Sequence, residues 1–468
     1  MSGPKAIHCQ PRSTPSEVTP SEVTPSDVTT RDVERVDHHC LDRRRFLTTG
    51  AALGSTIGFF TSTASGKKTV SANDTLVVAV MGVHGQGRTH ARNFALQNGA
   101  EVAYICDVDE RVLARAIEET AKHQQRKPRG VRDFREILDD PSVDILSIAT
   151  PNHWHAPATI MACAAGKHVY VEKPCSYTAE EGELAVRAAR KHNRVVQMGN
   201  QRRSRAPTIE AIQKLRGGVI GKVLLARTWY NSRRGSIGVG KQVAVPAGLD
   251  FELWQGPAAR RPYKDNLVHY QWHWHWHWGN GELGNNGIHT IDVARWGLDV
   301  TYPTRVASAG ERIRFQDDQE TPDSHFVTYQ FGDRIITWEG VSWSPHGPGG
   351  SRFGITFHGD NGTMELDDSG YRIFDMESKQ VENVSATGGD AEHYTSFLDS
   401  IRNDQRPTSD IETAHQSTLL CHLGNIAQRT GRPLQIDPQN GHILSDPGAQ
   451  QLWARDEYHK DFDPQIYV

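Results

Sequence analysis

The segment Gly82-Val83-His84-Gly85-Gln86-Gly87-Arg88 closes an apolar run, Leu76 to Met81, and leads into a helical stretch that begins near Thr89. Glycines at such a junction let backbone N–H groups at a helix N-terminus approach a pyrophosphate, so the seven residues are candidates for holding a dinucleotide. The GxGxxG spacing falls on Gly82, His84 and Gly87, which leaves histidine at the middle position with Gly85 beside it. About 20 residues further on, Asp107 ends the next apolar run, where a carboxylate accepts hydrogen bonds from ribose hydroxyls and repels a 2′-phosphate. That favours NAD over NADP. A third run ends in Ala149-Thr150-Pro151-Asn152-His153-Trp154-His155, at the crevice where a nicotinamide would lie. Thr150, Asn152 and His155 are its candidate contacts, although His153 and His155 read equally well as surface residues of a starting helix.

These residues need a sheet to position them. From Asp74, the runs Leu76 to Met81, Val102 to Cys106, Ile145 to Ala149, Val169 to Glu172 and Arg194 to Met198 alternate with helical stretches. They are too continuous to be half-exposed, which implies a parallel sheet covered on both faces through right-handed crossovers. Thr178-Ala-Glu-Glu181 is a capping box for one helix. After Gly199 come a helix around Ile209 to Leu215 and a strand Val223 to Tyr230. Period-two runs follow at His325 to Phe331, Arg334 to Trp343, Phe353 to Phe357 and Thr363 to Leu366, with turns at Gly332-Asp333 and Asp360-Asn361-Gly362. That is the pattern of antiparallel hairpins. Two more helices, Ala391 to Asn403 and Ile411 to Arg429, precede Gly431 and Pro433.

The strand Lys167-His-Val-Tyr-Val-Glu172-Lys173-Pro174, the glycine turn, and Gly279-Asn-Gly-Glu-Leu-Gly-Asn285-Asn-Gly287-Ile-His289-Thr-Ile-Asp292 together resemble the Gfo/Idh/MocA oxidoreductases over roughly Asp74 to Pro438. The resemblance implies an α/β chain: an N-terminal Rossmann doubly wound parallel sheet, then an α+β domain with an open, mainly antiparallel sheet that often mediates homo-oligomers. The expected limits are a disordered leader at 1–42, a signal and linker at 43–73, an NAD-binding domain at 74–199, a substrate and oligomerisation domain at 200–436, and a tail at 437–468. It further implies a nicotinamide cofactor and a sugar, sugar acid or cyclitol as substrate, with Glu172 and Lys173 bordering the cofactor.

The family's Glu-Lys-Pro lysine falls on Lys173 and its motif histidine on His289, the implied catalytic pair. Removing a hydroxyl proton as hydride departs suits an imidazole, and an ammonium stabilises the developing alkoxide. The sequence departs from the family at Asn285, a candidate substrate contact where the motif has aspartate; an amide offers a substrate hydroxyl both donor and acceptor but no charge. Arg202, with Asn200 and Gln201, is a further candidate for cofactor or substrate contact. Asp292 is placed to orient its neighbours.

Before this motif lies Gln271-Trp272-His273-Trp274-His275-Trp276-His277-Trp278. In an extended chain the indoles share one face and the imidazoles the other. Histidines ~7 Å apart in a line surround one ion badly, so no metal site is expected. Indole faces instead suit packing or a sugar ring, with Trp274 and His275 as candidate substrate contacts.

The resemblance leaves two further activities open. One is a redox-neutral glycoside hydrolase or lyase working through a 3-keto intermediate; the other is a non-catalytic nucleotide- or carbohydrate-binding protein.

The chain has 468 residues, is 37% hydrophobic and carries a net charge of −4, so neither nucleic acid nor an anionic membrane is an expected partner. Its six cysteines include no CxxC pair, which indicates neither a zinc site nor a disulfide framework. The leader repeats Pro-Ser-Glu/Asp-Val-Thr from Pro15, then gives Asp42-Arg43-Arg44-Arg45-Phe46-Leu47 and an apolar run to Phe60 that is too short for a permanent span. It resembles a twin-arginine signal, which implies passage through that export machinery to the periplasm. No soluble nicotinamide pool exists there, so NAD is expected to be tightly bound.

Overall fold

The computed structural model describes residues 74–468; the leader repeats and the arginine cluster with its apolar run lie outside the described residues. Continuous burial of Val78–Met81 and Ile145–Ile148 makes β1 (Leu76–Met81) and β4 (Ile145–Ile148) the centre of the first sheet. With β2 (Ala100–Cys106), β3 (Arg129–Val131), β5 (His168–Val171) and β6 (Val196–Met198), the strands lie in the order β3-β2-β1-β4-β5-β6, every pair parallel. The order reverses between β1 and β4, and ligands bind outside the carboxyl ends of strands at such a switch point. Crossovers run through α1 (Gln86–Leu96), α2 (Glu110–Thr120), α3 (Arg135–Leu138), α4 (Asn152–Ala164) and α5 (Ala179–Lys191). The capping box on Thr178 and Glu181 opens α5. Strand β3, two-thirds exposed and three residues long, carried no apolar signal.

The second half begins with α6 (Ala206–Arg216) and β7 (Val223–Asn231), then α7 (Phe251–Gln255) and α8 (Ile288–Leu298). There follow β8 (Arg305–Glu311), β9 (Ser324–Phe331), β10 (Arg334–Val341), β11 (Phe353–Gly359), β12 (Gly362–Asp367), β13 (Gly370–Phe374) and β14 (Gln380–Ser385). The chain closes with α9 (Ala391–Arg402), α10 (Ile411–Thr430), β15 (Leu434–Ile436), β16 (Ile443–Leu444) and α11 (Pro447–Gln450). Ten strands form one sheet, β14-β13-β12-β11-β7-β10-β9-β8-β15-β16, in which β7 and β10 pair in parallel and the other neighbours antiparallel.

The halves share their cores. Tyr394 of α9 stacks on Tyr170 of β5, Phe397 meets Tyr170 edge-on, both meet Phe94 of α1 edge-on, and α10 packs on α5. The terminal segment, aperiodic in sequence, is held by contacts with the first half: Arg455 pairs with Glu181 in a buried bridge, and Phe462 meets Trp154 edge-on at 4.9 Å. Among the described residues, no helix is long and apolar enough to cross a membrane.

Candidate functional site

A cleft of about 560 Å3 opens at the β1/β4 switch point. Its floor is the glycine turn. Gly82 has φ +83°, and a Cβ there would lie 2.8 Å from the Thr150 nitrogen; a Cβ on Gly87 would strike the Gly82 carbonyl oxygen at 1.9 Å. Both positions therefore require glycine, whereas the middle position does not, and the His84 side chain borders the cleft. Helix α1 starts at Gln86 without a side-chain cap, which leaves the Gln86 amide at the cleft for an anion, while the Arg88 N–H donates to the Gly85 carbonyl at 3.1 Å. The Asp107 carboxylate accepts from the N–H groups of Val83 (2.7 Å) and Asp109 (3.0 Å), bracing the turn from below. Burial raises its pKa against the pull of those bonds. Thr150 borders the same cleft, and its buried Oγ1 has no partner among the described residues. The required glycines, the uncapped helix, the carboxylate and the orphaned hydroxyl fit a dinucleotide.

At the other end of the cleft, β5 delivers Glu172 and Lys173. Glu172 is buried; its Oε1 hydrogen-bonds His90 Nε2 at 3.0 Å and its Oε2 accepts the Lys173 N–H at 3.1 Å. Burial opposes ionisation of Glu172, yet the His90 bond and the Lys173 charge bring its pKa to about 2. Lys173 Nζ donates to both the backbone oxygen and the Oδ1 of Asn285, each at 3.0 Å. Asn285 lies in a π-helical turn, Leu283–Gly287, that runs directly into α8. Such bulges re-aim backbone groups at functional sites. His289, the second residue of α8, borders the same cleft as Lys173, and its ring makes no hydrogen bond to another described residue. Burial, reinforced by the positive charges of Lys173 and Arg202, holds it at about 3, so it is a neutral imidazole. Burial also lowers Lys173, against the carboxylates of Glu172 and Glu282. Helix α8 is anchored by Asp292, which accepts from Arg203, Asn200 and Ser417 at 2.6–3.0 Å.

The roof is a strap, residues 232–280, between β7 and the π turn. Phe251, Trp254, Tyr263, Leu267, Trp272 and Trp278 give it a core of its own. His269 crosses to the glycine turn, where its ring stacks on His84 (centroids 4.2 Å, 11°) and its Nε2 bonds Asp109 Oδ2 at 3.0 Å. Burial works against ionisation of Asp109, but Arg111 and His269 outweigh it and hold the carboxyl at about 2. Arg234, paired with buried Glu282 at 2.6 Å, donates to the Tyr270 hydroxyl at 2.9 Å.

Several expected contacts are corrected. The tryptophan-histidine segment is not extended: Gln271–Trp274 form a 3-10 turn, so Trp272 and His273 border the cleft, stacked at 3.6 Å. Trp274 lies beneath Arg234 (4.7 Å), and His275 turns toward Glu320 (3.8 Å); neither borders the cleft. His273 bonds the Tyr270 carbonyl and His277 the Ala259 carbonyl, so the three histidines diverge. Among the described residues, no group of three His, Cys, Asp or Glu could hold a metal ion. Val83 is buried under the turn, Gly87 is packed on Gly82, and Arg88 bonds Glu119 at 2.6 Å, so these three also miss the cleft. Arg202 borders an adjoining cavity instead. His153 is fully buried, not a surface residue. Asn152 and His155 border the cleft with polar groups engaged: Asn152 donates to Asn280 at 2.9 Å, while the His155 nitrogens lie 2.6 and 2.8 Å from the Pro174 and Thr150 carbonyls. Tyr230, Arg234, Trp254, His269 and Tyr270 border it without a motif to mark them. Tyr230 lies near the end of β7; the one signal of the other four is a long connection, a type of segment that is usually functional.

Residues 76–200 match the family described as "Oxidoreductase family, NAD-binding Rossmann fold", and residues 224–461 its "C-terminal alpha/beta domain". Among solved structures, an aldose-aldose oxidoreductase from Caulobacter crescentus complexed with glycerol superposes with TM-score 0.60 at 20% identity, covering 77% of this chain and 100% of that one. A levoglucosan dehydrogenase in complex with NADH and levoglucosan gives 0.60 at 19%, covering 77% and 99%. These likenesses concern the fold. A glycosyl hydrolase family 109 protein of Shewanella sp. (strain ANA-3) is 33% identical over 158 residues, 33% of this chain and 34% of that protein. An alpha-N-acetylgalactosaminidase of Shewanella oneidensis is 29% identical over 215 residues, 41% and 46%. The chain thus spans between a third and a half of the length of these curated relatives. Matched in both halves, it belongs to the Gfo/Idh/MocA oxidoreductase family, with an NAD-binding Rossmann fold.

Proposed function

We propose that the protein transfers hydride between a secondary alcohol of a sugar, sugar acid or cyclitol and a tightly held NAD. One observation carries the reading: Lys173 and His289, from different halves of the chain, border the same cleft as the glycine turn and Asp107. The nicotinamide, when bound, supplies the hydride acceptor. His289, neutral and without a hydrogen-bonding partner among the described residues, accepts the hydroxyl proton on a ring nitrogen. The Lys173 ammonium, aimed by the two oxygens of Asn285, stabilises the alkoxide. Glu172, fixed by His90, holds the backbone of Lys173. The strap excludes water and keeps the dinucleotide from leaving, which suits export of a folded, loaded protein by the twin-arginine route that the leader residues Arg43 and Arg44 support.

A second reading draws support from the family 109 relatives. The same pair would oxidise C3 of a glycoside, abstract the acidified C2 proton, expel the aglycone, add water and return the hydride. Incubating the protein with sugars and glycosides while following nicotinamide absorbance and aglycone release separates the two. Net NADH with a free sugar supports the dehydrogenase; aglycone release without net reduction supports the hydrolase. No turnover by either readout overturns both and leaves a binding protein.

A further inference from the structure

Beyond His289 the cleft continues. Gln201, Tyr230, Asn286 and His289 border both the nucleotide cleft and a second cavity of about 420 Å3, which no residue of the glycine turn borders. That outer cavity is basic. Arg202 lies over Phe353, its guanidinium 4.0 Å from the ring centre, and bonds Asp368 at 2.6 Å; Asp368 is itself 67% exposed. Arg205 reaches Asp390 at 2.9 Å and Asp368 at 3.6 Å. Among the described residues, the Arg352 side chain has no carboxylate partner and meets only the Asn231 carbonyl and the Ser232 hydroxyl, each at 3.5 Å. Three guanidinium groups thus face one lining carboxylate, with the neutral His289 at the inner end.

A guanidinium fork matches carboxylate and sulfate oxygens two at a time, and an unpaired one beside a pair that solvent can open is poised for such a group. We propose that the outer cavity is the subsite for an oxyanion carried by the substrate one sugar unit beyond the reacting carbon, as a carboxylate or a sulfate ester. The preferred substrate is then an acidic oligosaccharide or glycoside, not a free neutral sugar. This rests on the reading above for the seat of the reacting ring between Lys173 and His289. Arg352 and Arg202 determine specificity here, and neither takes part in the proton transfer.

The test is equilibrium binding to the nucleotide-loaded protein, by calorimetry at low ionic strength. The probes are glucose-, galactose- and N-acetylhexosamine-terminated disaccharides, each as the neutral sugar, its aldobionic acid and its monosulfate. We expect an acidic member to bind on the order of tenfold more tightly than its neutral parent. The carboxylate and sulfate arms identify the oxyanion. Arg352→Gln, an exposed position, should erase the preference while leaving neutral affinity unchanged, whereas Arg305→Gln on β8 should preserve it. Equal affinities for acidic and neutral members, no binding of any acidic member, or a preference that survives Arg352→Gln would overturn the proposal. Because nothing in the measurement depends on turnover, an Arg352-dependent preference in a protein inert toward every sugar would sink the catalytic reading and leave the subsite standing.

Discussion

At Lys173 the side chain that receives the ammonium is neutral. Asn285 offers two oxygens to the ammonium but no countercharge, while burial pushes the lysine toward its amine form. Asn285→Asp would set a carboxylate where the amide oxygen now sits, 3.0 Å from Nζ. An opposite charge at that range favours the ammonium by about 1–3 pH units, so the alkaline limb of kcat, lost as Lys173 deprotonates, should move to higher pH. A limb that stays put would remove Lys173 titration from the profile. Lys173→Met and His289→Ala test the pair directly: each should lower kcat by about 10²–10⁴-fold while bound nucleotide, measured after denaturation, stays at the level of the parent. Unaltered turnover in either variant would exclude that residue from the chemistry.

The strap performs at element scale what no single residue does, since it brings a histidine from one half of the chain onto the phosphate-binding turn of the other. His269 touches His84 and Asp109 and neither Lys173 nor His289. His269→Ala should therefore raise the rate of nucleotide loss on the order of tenfold, read as nucleotide retained through gel filtration, and leave kcat unchanged when NAD is supplied in excess. Equal retention would sink the strap as a clasp. The strap's cleft contacts also have little local signature in the sequence. The central strands and the hairpins were legible because apolar continuity and alternation report burial directly, as in β1 and β9. Strand β14, polar at the sheet edge, reports nothing of the kind. Residues 271–278 misled for the opposite reason: perfect alternation imitates a strand, but the segment packs on its own aromatic neighbours and coils into a 3-10 turn, shifting the cleft-facing residues from Trp274 and His275 to Trp272 and His273. Lys173 and His289 came from motifs, whereas Arg352 and His269, fixed by tertiary contact alone, had no local signature.

Across the whole molecule, buried histidine links stability to pH in one direction. His325, His393, His415 and His422 lie away from the nucleotide cleft, are at most 6% exposed, and burial lowers them from 6.5 to about 3, 4, 4 and 3. Each is neutral in the fold and protonated in the unfolded chain through the window between those values. A lowered histidine therefore contributes stability that is present above pH 6.5 and lost as the pH falls below it. Four such groups take up four protons on unfolding near pH 5, a slope of about 5 kcal/mol per pH unit. The carboxylates of Asp109 and Glu172, held at about 2, add their loss below roughly pH 4 with the same sign. Since a folded domain has only about 5–15 kcal/mol in hand, about one to three pH units separate full stability from unfolding. We expect Tm by scanning calorimetry to be level near pH 7, to fall steeply below pH 6, and to give an unfolding midpoint between pH 4 and 5 at ambient temperature. A Tm that is flat from pH 6.5 to 5 would mean that these imidazoles are solvated or paired in a way their packing denies.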